Sequence, residues 1–129
     1  MATAVDNRSR YINTRISVIK QELTVRATFF NEGSVLTTGT SVGMNTNGFT
    51  TGIIFLNVTA ISGTATVNIN AVDFLSGGKY GLVSPLTITA TGFYSLPISL
   101  IYGDEMELNV GLSGTSPSIT LSGTGVFRA

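Results

Sequence analysis

The chain has 129 residues, with seven basic and seven acidic side chains and with neither cysteine nor histidine. This length suits one domain, and a domain of this size buries roughly two thirds of the surface that its unfolded chain exposes. Without cysteine and histidine, the commonest nucleophilic, acid–base and transition-metal sites are missing. We therefore expect no catalytic residues, no metal and no cofactor, which describes a protein that is not an enzyme.

Charged residues make up only 11% of the chain, whereas roughly 25% is typical of soluble domains. A surface of Thr, Ser, Asn and Gly costs less to bury than one of Lys and Glu, so it suits close packing against neighbours. An ordinary β domain of low charge has the same composition, and composition alone does not separate the two.

The charges are unevenly placed. Residues 1–26 hold five basic and two acidic side chains, a net charge of +3, and residues 27–129 hold two and five, a net charge of −3. A basic arm can bind an acidic surface, including that of a neighbouring copy. Nucleic acid is a weaker candidate, because three net charges over 26 residues are a thin footprint. The sequence shows no signal peptide and no apolar run long enough to span a membrane.

Small polar residues without periodicity predict a flexible N-terminal arm over residues 1–15. Residues 16–23 are rich in β-branched side chains and favour a strand over a helical turn, and apolar residues then alternate over 23–29, which predicts a half-buried strand. A turn is predicted at 31–34. A long loop, with a short edge strand near 41–45, is predicted from there to residue 51.

The strand signals are dense after residue 52. An apolar run over 53–61 predicts a buried strand, and the alternation over 65–71 predicts its hairpin partner, joined by a tight turn at Gly63. Pro85 marks a strand start, and Pro97 indicates an edge strand or a bulge. A further turn is predicted at 76–78 and a loop at 113–118. Further strands are predicted at 80–83, 86–90, 93–101, 106–112 and 119–127.

Seven or eight strands, with turn signals about every 8–12 residues, predict an all-β fold. The expected architecture is one β-sandwich or jelly-roll-like domain over residues 16–129, preceded by the arm. The order of the strands stays open, because Greek-key and meander connections share the same local signals.

One acidic cluster stands out, formed by Asp104, Glu105 and Glu107. Glu105 and Glu107 would share one face of a strand, because side chains two residues apart point the same way. A glycosidase needs its two carboxyls roughly 5–9.5 Å apart across a cleft, and calcium needs six to eight oxygens, so neither site fits an open strand. We favour a solvated strand face or a salt bridge between subunits, with Arg8, Arg10 or Arg15 of a neighbouring arm as partners.

The aromatic residues allow a second functional hypothesis. The four tyrosines (Tyr11, Tyr80, Tyr94 and Tyr102) could line a sugar-binding face. The chain has no tryptophan, and its tyrosines are spread over different strands and loops, so core edges or interface positions are favoured.

The second half of the chain resembles small structural proteins of tailed bacteriophages. The resemblance covers about residues 52–127 and lies in the strand–turn–strand layout of 58–73, in the SGGKY turn, in ITATG followed by Phe93, and in the late SGTSPSIT segment. It implies a virion component of the capsid decoration or cement type, assembling as a trimer and located in the virion after assembly in the host cytoplasm. The arm and residues 31–51 match nothing in that pattern.

The leading hypothesis is therefore a virion structural protein that binds the major capsid protein, or another virion protein, and copies of itself. Its expected assembly contacts are Arg8, Arg10, Tyr11, Arg15, Asp104, Glu105 and Glu107. The alternatives are a carbohydrate- or receptor-binding module and a phage neck or tail component. An arm that orders on binding needs a partner surface, because fixing its backbone costs about 1–2 kcal/mol per residue.

Overall fold

The structure is a computed structural model, and it describes residues 24–46, 48–73, 75–101 and 105–129. The described residues form an all-β domain, as predicted. Two strands are exceptionally long, at 22 and 24 residues. The strands are β1 (Thr24–Leu36), β2 (Thr40–Asn45), β3 (Thr51–Val72), β4 (Lys79–Gly81), β5 (Leu86–Ile88), β6 (Gly92–Ile98) and β7 (Glu105–Arg128).

The two long strands, β3 and β7, pair antiparallel along almost their entire length. Their register shifts twice, between Val58 and Ala60 and, by more, at the point where Ser62 faces Ser118 but Thr64 faces Ser113. Gly63 lies at this corner with a φ of 80°. A Cβ atom there would stand 2.5 Å from the carbonyl oxygen of Ser113. Both strands therefore bend together at a position that only glycine fits.

The bend divides the β3–β7 ribbon between two sheets, sheet I with four strand segments and sheet II with five. In sheet I, β1 pairs with residues 119–128 of β7, these pair with residues 51–61 of β3, and these pair with β6. In sheet II, β2 pairs with the first half of β7, which pairs with the second half of β3, and β4 and β5 share the far edge. All pairings are antiparallel, and this arrangement is a jelly roll.

The core lies between the two sheets. In β3 the buried side chains are Ile54, Leu56 and Val58 before the corner and Ala65, Val67, Ile69 and Ala71 after it. The side that faces the core thus changes from even to odd residue numbers across the bulges. This change is what a strand must make to keep its apolar side chains inside when it passes from one sheet to the other.

Phe127 lies on the inner face of sheet I and is fully buried. Its ring lies across two glycines, because Cβ atoms built at Gly52 and Gly125 would stand 2.3 Å and 2.6 Å from ring carbons. Phe29 meets it edge to face, with ring centroids 6.2 Å apart. The glycines therefore provide the space for the largest side chain of the core.

Two predicted turns are wrong. The segments 53–61 and 65–71 do not form a hairpin, because they are one strand, β3, and both pair with β7. The turn predicted at 31–34 is a bulge inside β1, where the register shifts between Phe30 and Ser34 and Gly33 has a φ of 79°. Glycine supplies the same positive φ to a bulge as to a turn, so the local signal is shared.

Two predicted loops are also wrong. Most of 31–51 is strand, and only the predicted edge strand near 41–45 is confirmed, as β2. The segment 113–118 does not separate two strands, because it is an excursion within β7. The turn at 76–78 and the edge position of Pro97 in β6 are confirmed.

The two ends of the sandwich differ in their connections. The end at the bend, here the corner end, carries the short crossovers 37–39 and 89–91 in addition to the bends of β3 and β7. The opposite end, here the loop end, carries the connections from β2 to β3, from β3 to β4 and from β6 to β7. The chain enters β1 at Thr24 at this same end, since Thr24 and Thr51 both face Arg128.

Candidate functional site

The loop end exposes three large hydrophobic side chains. Leu75 is 92% exposed and Tyr80 is 61% exposed, and both lie on the connection between β3 and β4 or just after it. Leu100 is 46% exposed and follows β6. The backbone beside it is fixed, because the Ile101 amide donates to the Thr50 carbonyl at 2.7 Å. Large apolar side chains at one end of a small domain indicate a contact surface.

Asp73 organises the turn that presents Leu75. Its carboxylate accepts hydrogen bonds from the Ser76 hydroxyl at 2.6 Å and from the Leu75 amide at 3.1 Å. The backbone closes the same turn, with the Asp73 amide donating to the Gly78 carbonyl at 2.8 Å. The Ser76 hydroxyl, followed by the Leu75 amide, lowers the pKa of Asp73 below its ordinary value of 3.8. Leu75 is therefore held outward by a defined turn.

The two described members of the acidic cluster lie on the outer face of sheet II. Glu105 and Glu107 share that face, as predicted, opposite Val72 and Asn70 of β3. The Glu107 carboxylate forms an ion pair with Lys79 Nζ at 2.8 Å and accepts a hydrogen bond from Asn70 Nδ2 at 3.4 Å. Its partner is thus a residue of its own chain, whereas Glu105 is exposed to solvent.

The remaining predicted contacts lie outside the described residues. These are Asp104 in the acidic cluster and Arg8, Arg10, Tyr11 and Arg15 in the predicted arm, whose boundary at residue 15 is outside as well. Within the described part of the chain, no three acidic, histidine or cysteine side chains are grouped as they would be around a metal ion. No helix among those residues is long and apolar enough to cross a membrane.

The outer face of sheet I carries an open groove of about 250 Å³ between β6, β3 and β7. Two phenylalanines form its walls, with Phe55 43% exposed and Phe93 88% exposed. They stand diagonally across β3 and β6, because Phe55 faces Ser95 and Phe93 faces Asn57. Among the described residues the lining is Phe55, Leu56, Asn57, Phe93, Tyr94, Ser95, Ser122 and Thr124, which include no Asp, Glu, Lys or Arg.

Sequence reasoning missed this groove because Phe55 lies inside the apolar run over 53–56, where alternation cannot be seen. The pattern predicts that the whole run is buried, yet only its even-numbered residues, Ile54 and Leu56, are buried. The tyrosines, the predicted aromatic candidates, are not grouped: Tyr94 packs against the core, with its hydroxyl donating to the Ala90 carbonyl at 2.7 Å, and Tyr80 is on sheet II. Tyr11 and Tyr102 lie outside the described residues. The sequence holds no local signal for the pairing of Phe55 with Phe93, because it depends on the register between β3 and β6.

No family model matches the sequence, and no curated protein is similar to it in sequence. The structure is similar to that of the SPBc2 prophage-derived protein YomS, with a TM-score of 0.50 and 16% identity over 81% of this chain and 93% of that one. It also superposes on Eiger TNF from S. frugiperda (TM-score 0.49, 9% identity, 82% and 92% covered). A third is the CBM36-1 domain of a xylanase from the hindgut metagenome of Trinervitermes trinervoides (TM-score 0.48, 8% identity, 83% and 98% covered). At 16% identity, the likeness to YomS shows a similar fold alone.

Proposed function

We propose that the protein is a non-enzymatic virion structural protein of the capsid decoration type, which attaches to the shell and to neighbouring copies through its loop end. The observation that carries this proposal is the exposure of Leu75, Tyr80 and Leu100 at one end of the sandwich. β1 begins at that same end with Thr24, and the predicted arm, which precedes β1 in the sequence, is proposed to act with the loops on one partner surface.

The chemistry of this end suits a protein partner. A contact surface needs a few large apolar or aromatic side chains at its centre and a polar rim around them. Leu75 and Tyr80 supply the first, and the exposed carboxylate of Glu105 on β7 contributes to the second. The ordered Asp73 turn lowers the entropy lost on binding, because Leu75 is already held in place.

The phage part of the proposal comes from the sequence resemblance over residues 52–127. YomS, a prophage-derived protein, has the same fold and is compatible with it. The proposed place of action is accordingly the virion, with the major capsid protein as partner and a homotrimer as the assembled form.

The first test is the solution mass of the full chain by light scattering, followed by co-sedimentation with shells of the major capsid protein encoded in the same genome. We expect a trimer and saturable binding. Leu75→Ser and Tyr80→Ser should each weaken the binding about tenfold or more, as contact residues at the centre of an interface do. Removing residues 1–15 should weaken it further while circular dichroism stays unchanged.

Val35→Ser is the matched control, because Val35 is an exposed apolar residue at the corner end. Attachment to the shell by the Leu75→Ser and Tyr80→Ser variants as tight as that of the native chain would remove the loop end from the mechanism. Undiminished attachment of the chain without residues 1–15 would remove the arm. Absence of binding by the full chain would reject the decoration role.

A further inference from the structure

We infer that the groove on the outer face of sheet I binds a neutral sugar unit of a glycan. This inference goes beyond the attachment role and uses a different surface, because the groove lies on the face formed by β3, β6 and β7 and the proposed attachment residues lie at the loop end.

The walls of the groove suit the flat side of a sugar ring. The C–H bonds on that side carry a small positive charge, and the faces of aromatic rings are negative, so the two stack favourably. Phe55 and Phe93 are diagonal neighbours on adjacent strands, a separation that brings aromatic side chains within reach of one another. Phe93 is the most exposed aromatic side chain among the described residues, and it is not part of the hydrophobic core.

The rest of the lining is suited to hydroxyl groups. Asn57 offers two donors and an acceptor, while Ser95, Ser122 and Thr124 each offer a hydroxyl that can donate or accept. These groups lie on three neighbouring strands, since Asn57 faces Ser122 and Phe55 faces both Ser95 and Thr124. An aromatic wall beside several neutral hydrogen-bonding groups is what a polyhydroxylated ligand requires.

The absence of charged residues from the described lining selects against other ligands. A nucleobase also stacks on aromatic rings, but its phosphates need a basic track, and no Lys or Arg of the described residues lines the groove. An acidic sugar would need a positive partner for the same reason. At about 250 Å³ the groove is smaller than the roughly 300–1,000 Å³ of most small-molecule sites, which suits one sugar ring with its chain extending beyond the groove.

A protein side chain is the competing occupant. The centre of a protein interface is depleted in serine and charged groups and is enriched in large apolar residues. Here two serines, a threonine and an asparagine line the groove between the two phenylalanines. The balance of hydroxyl and amide groups therefore favours the glycan.

The test is binding of the full chain to an array of immobilised neutral and acidic oligosaccharides, followed by titration of the ¹⁵N-labelled protein with the strongest neutral hit. We expect neutral glycans to bind and acidic ones not to bind, with amide shifts concentrated at Phe55, Asn57, Phe93 and Ser95. Phe93→Ser should weaken binding about tenfold or more without loss of stability, because its side chain is almost fully exposed.

Tyr80→Ser is the matched control, since it removes an exposed aromatic ring from the other sheet. It should leave glycan binding unchanged and weaken attachment to shells, whereas Phe93→Ser should do the reverse, so the two proposals fail separately. The inference is overturned if no neutral glycan binds, or if Phe93→Ser binds as tightly as the native chain. It is also overturned if the groove resonances shift only with an apolar peptide.

Discussion

The outer faces of sheets I and II are formed largely by the same two strands, yet they differ in chemistry. On sheet II the polar groups pair with one another. Asn109 donates to the Ser41 hydroxyl at 2.7 Å, and Glu107 forms an ion pair with Lys79 and accepts a hydrogen bond from Asn70. On sheet I, two phenylalanine rings stand exposed beside neutral hydroxyl and amide groups. The inner faces of both sheets are constrained by the core, so the outer faces are where one strand pair can serve two purposes.

The polar groups on the outer face of sheet II are paired within the chain, whereas the outer face of sheet I is open to a ligand. A hydrogen bond or ion pair already made within the chain must be broken before a partner can use those groups, at a cost that the partner has to offset. Sheet II therefore contributes stability and solubility. Sheet I keeps the polar groups of the groove available, and its stability comes from the aliphatic and aromatic side chains buried on its inner face.

The largest effect is expected from filling the space beneath Phe127 in sheet I. Gly125→Ala should lower the free energy of unfolding by about 2 kcal/mol, because the new methyl group overlaps the Phe127 ring and forces repacking. Gly111→Ala, in the sheet II half of the same strand, should change it by less than about 0.5 kcal/mol, since the nearest atom, the Thr66 carbonyl oxygen, is 3.8 Å away. Urea denaturation measures both. Equal losses of stability at the two positions would mean that the Phe127 ring moves aside without a cost in free energy.

A smaller effect is expected from breaking the paired face of sheet II. Glu107→Gln removes the charge that Lys79 meets and should cost about 1 kcal/mol or less, because Lys79 is half exposed and solvent screens the pair. The loss of stability should be smaller in about 1 M salt, where the electrostatic screening length falls to about 3 Å. Glu105→Gln, on the same face and exposed, is the control and should be neutral. A loss that does not depend on salt would assign the effect to the Asn70 hydrogen bond.

The smallest effect is expected at the Asp73 turn, which connects sheet II to its edge strand. Because folding lowers the pKa of this carboxyl, its contribution to stability is complete above its ordinary value of 3.8 and is lost as pH falls through the lowered value. Asp73→Asn should remove this part of the acid dependence. Thermal unfolding of both proteins between about pH 6 and pH 2 measures the difference. Identical pH profiles would show that the Ser76 hydroxyl bond does not survive in solution.

The sequence predicted the type of fold because strand periodicity is a local property. The alternation of Met106, Leu108 and Val110 needs only a sheet with one buried face, and it is found as expected. It could not predict that Gly63 bends one strand instead of joining two, because the choice depends on pairing with β7, some fifty residues away. The groove was hidden for a related reason: Phe55 is flanked by apolar residues on both sides, so its outward direction is fixed only by the register with β6.

The central position of β7 bears on how the protein is made. It lies in the middle of both sheets and also pairs with β1 from the start of the domain. A ribosome delivers the strands in chain order, and among the described strands β1 and β2 pair only with β7, so they emerge well before this partner. Pairing of β1 and β2 must then wait until β7 has left the exit tunnel. During that interval the apolar strands of this domain depend on dilution or on chaperones to avoid pairing with other nascent chains.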